Sequence, residues 1–505
     1  MTDIADLVGE RLMFGLTGAT LTDADIDVFR ETRAAGLILY RRNFAGPAAL
    51  TTLLDSLEAT LGRRLLVATD HEGGRIVMLG QGTTIFPDNL ALGTAGEEAF
   101  AFKQGLFEAR ELRRLGVDLN LGPCLDVLTD RYSPNIGIRS YGKDPGIVTR
   151  YGVARIRGMA RGGLSACAKH FPGKGHSPLD AHLRLPTIDS SPEEMRATHL
   201  PPFVAAIAAG VESLMTSHPV YPKLDPSGVL ATFSRRIVGD WLRGELDFGG
   251  VIVSDDLEMG AVSETCPIGE AAVRAAAAGH DLLLVCHTAP AQRAAAAALV
   301  AAYRERRLPL DECEAAVERV RRLRLARPAR REAGGPAPEP DGRPLAQAIA
   351  TRAVTEVGRG AADLGRALNG RVHVVFPRFS DLAARITIEP EVADERGWVR
   401  DAFGVAGIAP DVSVIGIEPG PEEIDRAVEQ AAGADATVLF LFDAHLYPSN
   451  RTLLDALQAR ARRLAVVLLR DPYDAILLRP GVRGLTAYGF RKCQLDAVVA
   501  RLVHP

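Results

Sequence analysis

The sequence predicts an α/β protein in two parts. An N-terminal (β/α)8 TIM-like barrel occupies residues 1–328, a linker 329–344, and a smaller α/β/α sandwich domain 345–505. Three observations carry this. Short β-prone runs alternate with helical patterns in roughly eight units before the linker. Ionisable residues stand directly behind those runs, where a barrel collects its functional groups. The stretch "ARPARREAGGPAPEPDGRP", 326–344, is rich in Pro, Gly and charge and has no apolar period, which separates two folded parts.

In order, the β-prone runs are "LMFGL", "GLILY", "LLVAT", "VDLNL", "LSACA", "ESLMT", "GVIVS" and "DLLLVC". Between them, segments such as "EEAFAFKQGLFEARELRRLG" and "IGEAAVRAAAAG" carry apolar residues at helical spacing. Asp70 follows the third run and Asp126 the fourth. Lys169 and His170 follow the fifth, His218 the sixth, Asp255 the seventh and His287 the eighth. A doubly wound sheet would also alternate strand and helix; the clustering behind the runs favours the barrel. After the linker, "VHVVFP", "VSVIGI", "ATVLFLFDA", "LAVVLLRDPYD" and "GLTAYGF" are apolar runs between helical segments, which predicts an open parallel sheet covered on both faces.

Composition narrows the function. A net charge of -4 gives no reason to expect nucleic acid or an anionic membrane as partner. No apolar run is long enough to cross a bilayer. The start, "MTDIADLVGERLMFGL", has acids before its apolar residues and no basic segment, so no signal peptide is expected. Six scattered cysteines without a CxxC pair suit free thiols in a reducing cytoplasm. The expected partner is a small-molecule substrate, with no cofactor.

The stretch "AKHFPGKGHSPLDAH", Ala168 to His182, is the densest chemistry in the chain. Two prolines and two glycines make it a loop. It can be a surface loop with incidental histidines. His170, His176, Asp180 and His182 offer metal-ligand atoms, but their spacing matches no helical zinc pattern. "PGKGHS" lacks the earlier glycine and the Ser or Thr after the lysine that a phosphate loop needs. Proton transfer is the third reading. Asp180 lies two residues from His182, near enough to hold one imidazole nitrogen while the other meets substrate. Such a dyad needs a partner on the barrel mouth, and Asp255 stands where one is expected.

These residues also carry a resemblance. "KHFPGKGHSPLDAH" resembles the loop K-H-F-P-G-H-G-D-T-x-x-D-S-H of two-domain glycoside hydrolase family 3 β-N-acetylglucosaminidases (β-hexosaminidases). "ATDHEGGRI" is similar to the family's D-Q-E-G-G-R, "NIGIRSYGKDP" to R-S-F-G-x-D-P, and "ELDFGGVIVSDDLEMGAV" to G-F-x-G-V-I-x-S-D-D-L-x-M. "LMTSHPVYPKLD" resembles M-x-x-H-x-x-Y-x-x-x-D. The resemblance runs from about residue 8 to 325 and, more loosely, into the second part.

It implies a retaining, exo-acting β-N-acetylglucosaminidase. Asp255 would be the nucleophile that forms a glycosyl-enzyme, His182 the general acid/base and Asp180 its dyad partner. Asp70, Arg139, Lys169 and His170 match the family's sugar-binding positions. His71, Glu72, His176 and His218 would be supporting groups, and Asp256 would support the backbone. Peptidoglycan fragments are one expected substrate class. Three positions depart from the pattern. Lys174 stands where the family loop usually has His, His176-Ser177 replaces Asp-Thr, and Met78 stands where single-domain members often carry an arginine. Two alternatives accompany this reading: a phosphorylase of the same family, and a catalytically silent sugar-binding protein.

Overall fold

The computed structural model describes residues 3–129, 133–176, 186–327, 341–358 and 364–504. Two compact units divide them. The first comprises Met1–Glu72, Met78–Thr84 and Glu98–Asp341. The second comprises Gly73–Val77, Ile85–Glu97 and Gly342–Pro505.

In the first unit the eight β-prone runs form the eight strands of one parallel sheet. They are β1 (Leu12–Gly15), β2 (Gly36–Leu39), β3 (Leu66–Thr69), β4 (Leu119–Asn120), β5 (Ser165–Phe171), β6 (Ser213–Thr216), β7 (Val251–Val253) and β8 (Leu283–Val285). Their order is β8-β1-β2-β3-β4-β5-β6-β7. A parallel bridge from Val253 to Leu282, just before β8, joins the two ends and nearly closes the barrel. Met13, Ile38, Leu66, Ala68, Leu119, Cys167, Met215 and Leu284 belong to one buried cluster. Side chains fill the middle of the barrel, so chemistry is confined to its ends.

Between strands the sequence writes helix signals at both ends. Thr22 and Asp25 form a capping box for the helix Asp23–Thr32. Pro47 opens Pro47–Leu61, and Gly62 closes it at φ 65°. Helices Glu98–Arg114 and Pro145–Arg161 approach so closely that a Cβ on Gly158 would lie 2.1 Å from the Phe102 carbonyl oxygen. Fully buried Arg155 links them. Its Nε and Nη2 donate to the Glu108 carboxylate at 2.9 and 2.6 Å, and Nη2 also donates to the Glu72 carbonyl at 2.7 Å.

The second unit is built on a six-stranded sheet. Its strands are β9 (Thr355–Val357), β10 (Val372–Pro377), β11 (Asp411–Ile415), β12 (Ala436–Leu441), β13 (Leu464–Leu468) and β14 (Arg483–Thr486). The order is β9-β14-β13-β12-β10-β11. Alternate residues enter separate cores: Val374, Phe376, Val438 and Phe440 on one face, Val375, Leu439 and Leu441 on the other. Burial on both faces is why these strands read as continuous apolar runs. One detail differs from the sequence expectation. Edge strand β9 pairs antiparallel with β14, so the sheet is mixed; "TEV" is too short and too polar to announce a strand. This unit also takes in Gly73–Val77 and Ile85–Glu97, where Arg491 Nε donates to the Gly74 carbonyl at 2.7 Å.

Replacing Arg155 by Met should leave Glu108 as a buried carboxylate without its cation. The expected cost is about 3–5 kcal/mol. Chemical denaturation monitored by circular dichroism checks it, and the double replacement Arg155→Met with Glu108→Gln should recover part of the loss.

Candidate active site

Strand ends of the barrel bring a group of charged side chains together. Asp70 directly follows β3, and Glu72 lies two residues on. Lys169 and His170 lie near the end of β5. Cys124 and Asp126 follow β4, Arg139 comes from a short turn at Gly137–Arg139, and Asp255 lies two residues past the end of β7.

Glu72 is the centre of one network. Arg139 grips it with two hydrogen bonds, Nε to Oε2 at 2.8 Å and Nη2 to Oε1 at 2.7 Å. The Lys169 ammonium sits between Glu72 Oε1 at 2.7 Å and Asp70 Oδ1 at 2.5 Å. Burial alone would raise the Glu72 carboxyl, yet the two adjacent cations hold it far below the usual range. The same carboxylates hold Lys169 charged against the pull of burial. Burial raises the Asp70 carboxyl, with Lys169 opposing.

A second network fixes His170. Its Nδ1 lies 2.6 Å from Asp126 Oδ2, which also receives the Cys124 thiol at 3.2 Å. Asp126 Oδ1 accepts the Lys174 backbone N–H at 2.7 Å. Burial, reinforced by Lys174 and Arg139, pushes the His170 imidazole well below its usual range. The ring is therefore neutral, with Nδ1–H donated to Asp126 and Nε2 left as an acceptor, 3.5 Å from Arg139 Nη2.

Asp255 stands apart from both. Its Oδ1 accepts the Asp256 backbone N–H at 3.0 Å, and Lys174 Nζ lies 3.7 Å from Oδ2. Burial works against ionisation, but Lys174, His218 and Lys169 outweigh it and lower the carboxyl below the usual range. Asp256 is tied down instead: it faces His287 Nε2 at 3.0 Å and accepts the N–H of Glu258 at 3.1 Å. His218 spans the Asp256 carbonyl at 3.0 Å and Thr232 at 2.7 Å.

Exposure separates the four carboxylates. Asp70 and Asp255 keep 19% and 18% of their side-chain surface open, against 2% for Glu72 and 0% for Asp126. The first two can meet a ligand; the last two orient other groups. The carboxylate of Asp70 has one oxygen, Oδ2, outside the Lys169 bond and open to hydroxyl donors.

Of the residues singled out from the sequence, Asp70, Arg139, Lys169, His170 and Asp255 lie at this end of the barrel. Asp180 and His182 lie outside the described residues. His176 is bound through Nδ1 to Thr129 at 3.0 Å and takes no part in the two networks. Arg139, expected to meet the sugar, gives donors to Glu72 and the Asn135 carbonyl. Sequence reasoning ranked Glu72 too low; its place two residues beyond Asp70 was the available signal. Among the described residues, Cys124, Asp126 and His170 form one group with metal-ligand atoms. Their separations are hydrogen-bond lengths, and burial keeps the Cys124 thiol protonated. The donor set reads as a hydrogen-bonded network.

Residues 15–323 match the glycosyl hydrolase family 3 N terminal domain. A β-hexosaminidase of Pseudomonas aeruginosa is 39% identical over 292 residues, 57% of this chain and 86% of that one. The structure of a glycoside hydrolase family 3 β-N-acetylglucosaminidase from Paenibacillus sp. str. FPU-7 is similar over 100% of this chain and 97% of that one, with a TM-score of 0.92 and 31% identity. NagZ from Neisseria gonorrhoeae, solved in complex with N-trifluoroacetyl-D-glucosamine, matches 62% of this chain and 98% of its own, with a TM-score of 0.52 and 31% identity. A barrel whose open end carries two accessible carboxylates beside a buried cation network, matched over most of its length by that domain, identifies the chain as an enzyme of glycoside hydrolase family 3.

Proposed function

We propose that the protein is a retaining, exo-acting β-N-acetylglucosaminidase that removes terminal N-acetyl-β-glucosamine. The observation that carries this reading is Asp255, a partly open carboxylate at a strand end, held ionised beside a buried lysine. An ionised carboxylate facing a sugar can bond to the anomeric carbon as the aglycone departs, and water then displaces it from that carbon. In this reading His182, with Asp180 as its dyad partner, protonates the leaving oxygen and then takes a proton from water. A histidine suits this role because its basic form is neutral and does not repel Asp255.

The remaining groups bind the sugar. Asp70 accepts from hydroxyls while Lys169, fixed by Glu72, donates to them; His170 offers Nε2 as an acceptor. Arg139 holds Glu72 and thereby the position of Lys169. The names of the similar proteins, β-hexosaminidase and β-N-acetylglucosaminidase, support the N-acetylglucosamine preference. Fragments of peptidoglycan are the proposed natural substrates and the cytoplasm the proposed location. The six cysteines form no disulfide, which fits that compartment. Among the described residues no helix is long and apolar enough to cross a membrane.

Asp255→Ala should retain the fold and lose activity to about 10⁻⁴ of the natural level or below. A slow fluorinated N-acetylglucosaminide should leave a covalent sugar on the peptide containing Asp255, read by mass spectrometry. A label on another residue contradicts the assignment.

Replacing His182 by Ala should cost about 10²–10⁴-fold in kcat/KM on substrates with poor leaving groups, which need protonation. Activated aryl glycosides should lose far less. Equal losses across a leaving-group series would remove His182 from the acid/base role.

A further inference from the structure

Lys174 is one of the residues at which this chain leaves its family's loop pattern, and the structure puts it beside the proposed nucleophile. Its side chain is 4% exposed, and Nζ lies 3.7 Å from Asp255 Oδ2. The backbone around it is anchored. Asp126 Oδ1 accepts the Lys174 N–H, and Thr129 N–H donates to the Gly175 carbonyl at 3.2 Å. Gly175 lies so close to residue 127 that a Cβ would come within 1.8 Å of the Val127 carbonyl oxygen. Such anchoring fixes where the lysine stem starts and so where its ammonium ends.

The neighbouring cations are already committed. Lys169 is shared between Asp70 and Glu72, and Arg139 is spent on Glu72. Among the described residues, Asp255 is the carboxylate within ion-pair distance of Lys174. At 3.7 Å the contact is too long for a hydrogen bond. The charge is felt, and among the described residues no hydrogen bond occupies Oδ2.

We propose that Lys174 is a positioning residue for Asp255: its buried ammonium keeps the carboxylate ionised and holds Oδ2 toward the sugar without blocking it. This rests on Asp255 being the nucleophile. Among the described residues, the charged groups around the pair are few. Asp255 is faced by Lys174, His218, Lys169 and Asp70. Lys174 is faced by Asp255, Arg139, Asp126, the Cys124 thiol, His170 and His218; burial lowers its ammonium from the usual lysine range, with Asp255 and Asp126 opposing. His218 adds to the effect of Lys174 on Asp255, although burial drives it toward its neutral form, and Asp70 opposes ionisation of Asp255. Lys174 is then the main local reason that Asp255 stays charged in acid.

The sign follows. Asp255 acts ionised, and the cation depresses its pKa, so activity survives as pH falls through the ordinary carboxylate range. Removing the cation moves that loss to higher pH. The test is the pH dependence of kcat/KM, which reports free-enzyme groups, on p-nitrophenyl N-acetyl-β-glucosaminide. Lys174→Met and Lys174→Gln remove the charge at similar length, and circular dichroism identifies which of them is folded. In a folded neutral variant the acidic limb should rise by about one pH unit or more, with the profiles converging toward neutrality. Lys174→Arg should keep the limb near its natural place. An unmoved limb, a loss uniform at all pH values, or an equal shift in Lys174→Arg overturns the proposal. Labelling each variant with the fluorinated sugar separates the two claims. A label on Asp255 with an unmoved limb removes Lys174 alone, whereas a label elsewhere removes the nucleophile and this proposal with it.

Discussion

The open end of the barrel depends on the charge of one buried carboxylate. Glu72 takes two hydrogen bonds from Arg139 and one contact from Lys169, and is 2% exposed. Removing either cation would leave a charge in a low-dielectric interior with too few partners. Its main chain is held as well, by the Arg155 guanidinium that joins two helices behind it. Scaffold and site thus meet in one residue. Lys169 is placed by Glu72 and in turn fixes one oxygen of Asp70. The open groups inherit their positions from closed ones, which is how a site stays organised before substrate arrives.

Burial acts differently on each ionisable group here. Burial and the nearby cations Lys174, Arg139 and Lys169 push His170 toward its neutral form, while Lys174 holds Asp255 toward its charged form. Two groups in one pocket are thereby pushed to opposite states, an acceptor ring and an anionic carboxylate. That division is what a glycosidase pocket requires, with neutral polar groups for hydroxyls and one anion for the developing positive charge at the anomeric carbon.

Much of this was legible in the sequence. All eight barrel strands fall on the β-prone runs, because strands buried on both faces leave continuous apolar stretches that little else imitates, although β5 continues through Lys169, His170 and Phe171, which the sequence reading gave to the loop. Asp70, Lys169 and Asp255 stood out because each breaks such a stretch at its end. β9 stayed hidden because three residues carry no periodicity. The place of Gly73–Val77 and Ile85–Glu97 in the second unit is set by long-range partners such as Arg491, which no local pattern encodes. Glu72 was underrated for a related reason. Its importance lies in two cations that arrive from residues 139 and 169, and only folding brings them to it. Lys174 was visible as a departure from a motif, but its distance from Asp255 was not.

The central claim is that Asp255 attacks the sugar directly, so that two displacements at one carbon restore its configuration. Proton NMR of the first product formed from an N-acetyl-β-glucosaminide tests this most directly, followed from the first minutes before mutarotation blurs the outcome. The account predicts that the β-anomer of N-acetylglucosamine appears first and the α-anomer grows in later. Initial release of the α-anomer would mean a single displacement by water, and Asp255 would lose its role as nucleophile.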